Sequence, residues 1–265
     1  MEATIGTAGW SIARKDADAF PPDGTALERY SRVFSGVEVN SSFHRAHRTS
    51  TWAKWAESVP EQFRFAVKVP KTITHHAKLI DVDPLIARFA EEVQQLGGKL
   101  AVLLVQLPPK LAFDAELAQR FFEKLRNAID VEIACEPRNA SWMEEDADAI
   151  LRELRVARVA ADPALGRSAA SPGGWRGLAY WRLHGSPQMY RSPYREEAID
   201  RYAVQIRSAM DDGIEPWCVF DNTAASEATG NALSLLAKLR PSNRERHMNE
   251  QPLSESAVVG SDVQD

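Results

Sequence analysis

Strand-length apolar runs recur along this chain, and nearly every one is followed by a segment whose apolar residues repeat at helical spacing. Eight runs read as strands: Thr4 to Gly9, Gly36 to Ser41, Arg64 to Val69, Leu100 to Gln106, Val131 to Glu136, Arg155 to Ala161, Leu178 to His184 and Trp217 to Asp221. Between them, sets such as Leu85/Ile86/Phe89/Val93, Leu117/Phe121/Leu125 and Ile199/Tyr202/Ala203/Ile206 each fit one face of a helix. Gly97-Gly98 and Asp212-Gly213 stop two of those helices, and Pro241 follows the last.

Parallel strands need long crossovers, usually helices, and closing the sheet removes its edges. The alternation therefore predicts an α/β fold of the TIM type, a closed parallel (β/α)8 barrel forming one domain over residues 1–241. An open doubly wound sheet is the alternative. Pro163 to Gly177 holds Pro172-Gly173-Gly174 and lacks helical periodicity, so the helix between strands six and seven is expected to be missing or replaced by a loop. Residues 242–265 lose the periodicity and carry five acids against Arg244 and Arg246, which reads as a disordered acidic tail.

At 265 residues and 44% hydrophobic composition, the chain can bury its own core without a metal or an oligomer, and its oligomeric state is not legible. A formal charge of -5 argues against coating nucleic acid by bulk charge. Cys135 and Cys218 lie in apolar runs without C-x-x-C spacing, as buried thiols do in a reducing compartment. No run approaches the ~20 apolar residues of a membrane helix, and Met1 to Gly6 has neither a basic region nor a signal core. These features read as a cytoplasmic protein with no membrane partner.

Strand side chains alternate in direction, and in a barrel one of the two faces points to the axis. On the second strand Val37 and Val39 oppose Glu38 and Asn40; on the third, Phe65 and Val67 oppose Lys68. The same split sets Gln106, Glu136 with Arg138, Asp162, and Arg182 with His184 at the C-terminal ends of strands four to seven. Unpaired buried charges cost several kcal/mol each, so these acids and bases are expected to form one paired network that a ligand can enter.

Several stretches carry a resemblance: Gly6-Thr7-Ala8-Gly9-Trp10, Val37-Glu38-Val39-Asn40-Ser41-Ser42-Phe43 with Arg45, Phe65-Ala66-Val67-Lys68 followed by Thr74-His75, Gln106-Leu107-Pro108-Pro109, Glu136-Pro137-Arg138 with Ser141-Trp142, and Arg182-Leu183-His184-Gly185. In order and spacing the chain resembles the YecE-like family, also called domain of unknown function 72, from about Thr4 to Leu239. The resemblance implies a (β/α)8-type barrel and a polar pocket, and brings no reaction with it. The chain has His44 where a Tyr is common in that family, Asn139 where a His is common and Asp221 where an Asn is common.

Nucleotide-cofactor fingerprints are absent, since neither G-x-G-x-x-G nor G-x-x-x-x-G-K-[ST] occurs, and no G-x-S-x-G elbow appears. His75, His184, Glu136 and Asp162 have the chemistry of a divalent metal site. The cations Lys68, Arg138 and Arg182 beside them oppose a divalent ion. Trp10, Trp142 and Trp175 fall near strand ends or in the sixth loop, where they either pack or stack on a ligand.

The resulting functional expectation is an enzyme, a hydrolase, isomerase or lyase, acting on a small anionic metabolite. Arg45, Lys68, Arg138 and Arg182 hold its phosphate or carboxylate, with Trp10, Asn40, His75, Gln106 and Trp142 as further binding residues. Glu38, Glu136, Asp162 and His184 supply general acid and base. The alternative is a module that holds a metabolite or a nucleic-acid end in the same cleft without turnover.

Overall fold

The structure is a computed structural model, and it describes residues 1–240. The expected acidic tail and Pro241 lie outside the described residues. Among the described residues ten strands form: β1 (Thr4–Thr7), β2 (Gly36–Val39), β3 (Arg64–Lys68), β4 (Leu100–Gln106), β5 (Glu132–Glu136), β6 (Val156–Arg158), β7 (Ala160–Asp162), β8 (Gly173–Gly174), β9 (Leu178–Leu183) and β10 (Glu215–Phe220). Eight α-helices accompany them: α1 (Ala26–Ser31), α2 (Ser41–His44), α3 (Thr49–Glu57), α4 (Asp83–Val93), α5 (Ala115–Ala128), α6 (Glu145–Glu153), α7 (Glu196–Asp211) and α8 (Ala228–Leu239).

Two of the helices, α1 and α5, start at a side chain that caps their free N–H groups. Thr25 and Glu28 cap α1 reciprocally, and the Asp114 carboxylate accepts from Leu117 N at the start of α5. Each long helix then buries one stripe, as α7 does with Ile199, Ala203, Ile206 and Ala209.

The strands make a mixed α/β fold of two sheets. One has the order β1-β10-β9-β7 and the other β2-β3-β4-β5-β6-β8. All pairings are parallel except the two-residue contact of β8 with β6. The expected single closed barrel is thus not one continuous ladder. At one seam β1 and β2 share a single bridge, Ala8 with Glu38, and Gly9 N donates to Glu38 O at 2.8 Å. At the other, the predicted sixth strand breaks at Val159: its first half pairs with β5 and its second with β9. The first seam tolerates no side chain, since a Cβ on Gly6 would run into the Gly36 carbonyl.

The segment between β7 and β9 holds a three-residue 3-10 turn (Ser168–Ala170) and β8 in place of an α-helix. Two cores follow from strand parity. Val37, Phe65, Leu103, Cys135 and Leu183 pack against the helices, while Ala66, Val102, Leu104, Ala134, Tyr180 and Trp217 fill the space between the sheets. Tyr180 and Trp217 stack there with centroids 6.0 Å apart. Among the described residues no helix is long and apolar enough to cross a membrane.

Candidate functional site

Above that inner apolar core, toward the C-terminal ends of the strands, the inward side chains change character. On β9 and its extension the inward series runs Leu178, Tyr180, Arg182, His184, and on β10 it runs Trp217, Val219, Asp221. Two residues along a strand advance about 6.6 Å. The charged layer therefore rests directly on the stacked Tyr180 and Trp217.

Arg182 is the centre of this layer and is 1% exposed. Its Nε donates to both Glu38 oxygens at 3.0 and 3.1 Å, and its Nη2 to Glu38 Oε1 at 2.8 Å. Nη1 donates to Glu136 Oε2 at 3.1 Å, and Nη2 lies 2.9 Å from Asp221 Oδ2. Tyr180 donates its hydroxyl to Glu38 Oε2 at 2.9 Å. Burial disfavours the charged guanidinium, but Glu38, Asp221 and Glu136 outweigh it and hold Arg182 well above its usual range.

His184, fully buried, hangs between two carboxylates. Nδ1 is 3.0 Å from Asp221 Oδ2 and Nε2 is 2.9 Å from Glu136 Oε1. Arg138 Nη2 reaches both Glu136 Oε1 and His184 Nε2, the latter at 2.7 Å. Two proton arrangements each satisfy part of these contacts. A neutral ring protonated at Nδ1 donates to Asp221 and accepts from Arg138 at Nε2; an imidazolium donates from both nitrogens, leaving Arg138 to Glu136 alone. Burial pushes the Glu136 and Asp221 carboxyls up, yet Arg182 and His184, with Arg138 on Glu136 and Lys68 on Asp221, hold both below the ordinary carboxylate range.

Lys68 completes the layer from β3. Its Nζ stands 4.2 Å from the Phe43 ring centroid, and His75 meets the same ring edge-on at 5.0 Å. Burial and then the neighbouring Arg182 lower the Lys68 ammonium to about 8, against the pull of Glu38, Glu136 and Asp221. Two buried polar atoms near this layer lack a partner, Arg138 Nε and Asn40 Oδ1. Tyr190, from the loop after β9, sets its ring edge-on to His184 at 5.3 Å.

Six expected residues thus share one layer: Glu38, Lys68, Glu136, Arg138, Arg182 and His184, while Asn40 follows β2 at the start of α2. Gln106 sits beside Glu136 in the strand register, on the same face. Asp162 does not join them. Ala161 is the residue opposite Arg182, while Asp162 pairs with the outward Leu183, and its backbone carbonyl accepts from the Tyr194 hydroxyl at 3.5 Å. Arg45 is exposed and lines a separate cleft of about 180 Å³ with Phe43, Pro70 and Arg88.

The three tryptophans each pack against a neighbour. Trp10 lies edge-on to Trp55 at 5.0 Å, and Trp142 is buried against Phe113 with Nε1 donating to Leu111 O at 3.0 Å. Trp175 packs on the inner core from the opposite end, beneath Arg155. The four residues with metal-binding chemistry do not gather: His75 bonds Thr74 Oγ1 at 2.9 Å, and Asp162 points away. Among the described residues no group of three or more His, Cys, Asp or Glu is arranged to hold a metal ion.

Asp221 is the functional candidate that strand parity offered and the site expectation omitted. Asn139 instead caps a 3-10 turn, accepting from Ser141 N at 3.1 Å, and His44 is exposed beside Phe43. A cavity of about 600 Å³ lies elsewhere, between α6 and α7 over the outward face of β9. Its charges are largely exposed and paired, as in Arg176 with Asp212, in contrast to those of the buried layer.

The chain is 24% identical to the YunF protein of Bacillus subtilis over 89% of this chain and 94% of that one. It is 33% identical to the YecE protein of Escherichia coli K12 over 84 residues, a stretch that spans 31% of that relative's length and 32% of this chain. Two solved structures share the fold. A DUF72 family protein from Enterococcus faecalis V583 aligns with TM-score 0.75 at 21% identity, covering 91% of this chain and 96% of that one. Its counterpart from Thermotoga maritima aligns with TM-score 0.73 at 22% identity, covering 90% and 99%. The model of the family described as protein of unknown function DUF72 matches residues 4–256, and the chain belongs to that family.

Proposed function

We propose that this protein is an enzyme that binds a small anionic metabolite at the C-terminal end of its inward strand faces and moves a proton through Glu136 and His184. The two sheets, joined at the Ala8 to Glu38 bridge and through the split strand at Val159, are read as one eight-stranded barrel with a seam on each side. The active sites of barrel enzymes lie at the C-terminal ends of the strands, where this charged layer sits.

The observation that carries the reading is the contrast between two arginines. Every nitrogen of Arg182 is engaged by Glu38, Glu136 or Asp221, so its part is to hold the carboxylates rather than a substrate. Arg138 spends Nη2 on Glu136 and His184 and keeps Nε buried without an acceptor. An anionic oxygen satisfies that donor, and the buried Asn40 Oδ1 accepts a hydroxyl or amide of the same molecule. With the ligand in place, the two proton arrangements of His184 let it take or give a proton at Nε2 beside Glu136.

Thermal shift over sugar phosphates, nucleotides and organic acids tests the reading. An anionic compound is expected to raise the Tm, and Arg138→Ala to weaken its binding by roughly ten- to a hundred-fold, the worth of about 1.5–3 kcal/mol for charge-assisted hydrogen bonds. Glu136→Gln is expected to keep binding and lose turnover. Unchanged affinity in Arg138→Ala overturns the anion site; native turnover in Glu136→Gln removes Glu136 from the chemistry, and binding without any turnover favours the non-catalytic module.

A further inference from the structure

We propose that Lys68 is a nucleophile that forms an imine with a small aldehyde or ketone bearing a carboxylate or phosphate. The inference rests on the anion site above and names its substrate class. Buried cations in this fold are otherwise paired: Arg182 with Glu38, Glu136 and Asp221, and Arg158 with Asp148 at 2.6 Å. Lys68 is buried too, yet among the described residues no carboxylate oxygen lies within 4.0 Å of its Nζ and no acceptor within hydrogen-bond distance. Its Nζ stands over the face of Phe43, 4.2 Å from the centroid, which attracts an ammonium but does not engage the lone pair of a free amine.

The charge count of the layer allows the amine to be neutral. Glu38, Glu136 and Asp221 supply three negative charges; Arg138 and Arg182 supply two positive ones. One further proton balances the layer, and it can sit on Lys68 or on His184, whose Nδ1 and Nε2 both face carboxylates. A proton on His184 frees Lys68 to attack. The lowered Lys68 ammonium, at about 8, agrees with this geometry.

The step balances without an oxidant or reductant. The Nζ lone pair bonds to the carbonyl carbon while the C=O π pair moves to oxygen, which takes a proton. Nζ then gives up its two protons as the C–O bond breaks and the hydroxyl leaves as water. The carbonyl compound and the lysine amine thus become one imine and one molecule of water. Arg138 holds the anionic group, and His184 and Glu136 relay the protons.

The test is reductive trapping on the full chain at pH 7.5. Glyoxylate, pyruvate, dihydroxyacetone phosphate and the uncharged acetone are each incubated with sodium cyanoborohydride, and adducts are located by peptide mass mapping. Lowering an amine from 10.5 to about 8 raises its neutral fraction at this pH by about a hundred-fold or more, so labelling of Lys68 is expected at least ten-fold faster than of any other lysine. Lys68→Arg, checked for folding by circular dichroism, is expected to lose that adduct and keep the slow surface labelling. The inference is overturned if no oxo probe labels Lys68 preferentially, or if Lys68→Arg is labelled as fast. Anionic probes that raise the Tm without labelling Lys68 sink this inference and leave the anion site standing. Preferential Lys68 labelling by acetone and pyruvate alike, unchanged in Arg138→Ala, sinks the anion site and leaves the nucleophile.

Discussion

At the scale of single residues, the charged layer works by unequal satisfaction. Arg182 is saturated, Arg138 is half engaged and Lys68 has no carboxylate partner, although all three enter the same space. An ammonium whose folded pKa lies below its unfolded value destabilises the fold at every pH where both states are charged. Lys68 falls to about 8 from 10.5, so its penalty is full below pH 8 and vanishes as pH rises through 10.5. Lys68→Met is therefore expected to be more stable than the native chain at pH 7, by on the order of 2–3 kcal/mol, with the difference closing by pH 10.5. Urea unfolding at pH 7 and at pH 10.5 measures it; a constant difference across that window contradicts the assignment.

At the scale of elements, the seam between β1 and β2 is set by backbone proximity rather than by a ladder. Gly36 faces the Thr4 methyl, the Arg64 carbonyl at 3.1 Å and the Trp217 ring at 3.3 Å from where a Cβ would stand. Gly36→Ala is expected to cost about 1–3 kcal/mol through overpacking of a site with no room to give. Gly98→Ala is the control, since nothing lies within 4 Å of its Cβ position, and it is expected to stay within about 0.5 kcal/mol of the native value. The two urea midpoints decide whether that seam is tight. The missing helix before β9 has the opposite consequence, for it leaves the outward Ala179 and Trp181 lining an open groove.

At the scale of the whole molecule, inward side chains from strands far apart in the chain converge on one proton-linked cluster, which ties global stability to acid. Glu136 and Asp221 have folded pKa values below their ordinary 4.5 and 3.8. Their contribution is thus complete above those values and is lost as pH falls through them toward the lower folded values. Each adds up to about 1.4 kcal/mol per pH unit to the steepness of acid destabilisation. Glu136→Gln is expected to be markedly less stable than the native chain at pH 7, with the gap narrowing as pH drops from about 5 to about 3. Parallel stability curves over that range would show that Glu136 is not held ionised by the network.

The sequence by itself determined the alternation of strands and helices, the stretch without a helix, and the inward face of every strand whose polar and apolar residues alternate. Glu38, Lys68, Glu136, Arg182 and His184 are legible for that reason: an apolar neighbour on each side fixes which way a charge must point. The run Val156 to Ala161 is apolar on both faces apart from Arg158, which turns outward to Asp148, and there parity misleads. Asp162 reads as inward, although it follows the inward Ala157, Val159 and Ala161 by an odd step. Only the tertiary structure decided the partners. Asp221 reaches Arg182 and His184 because β10 lies beside β9, and which cation is saturated and which keeps a free donor depends on ångström-scale distances between strands far apart in the chain. Periodicity records direction along one strand; it carries no information on the register between strands, and it is the register that turns a set of inward charges into a site.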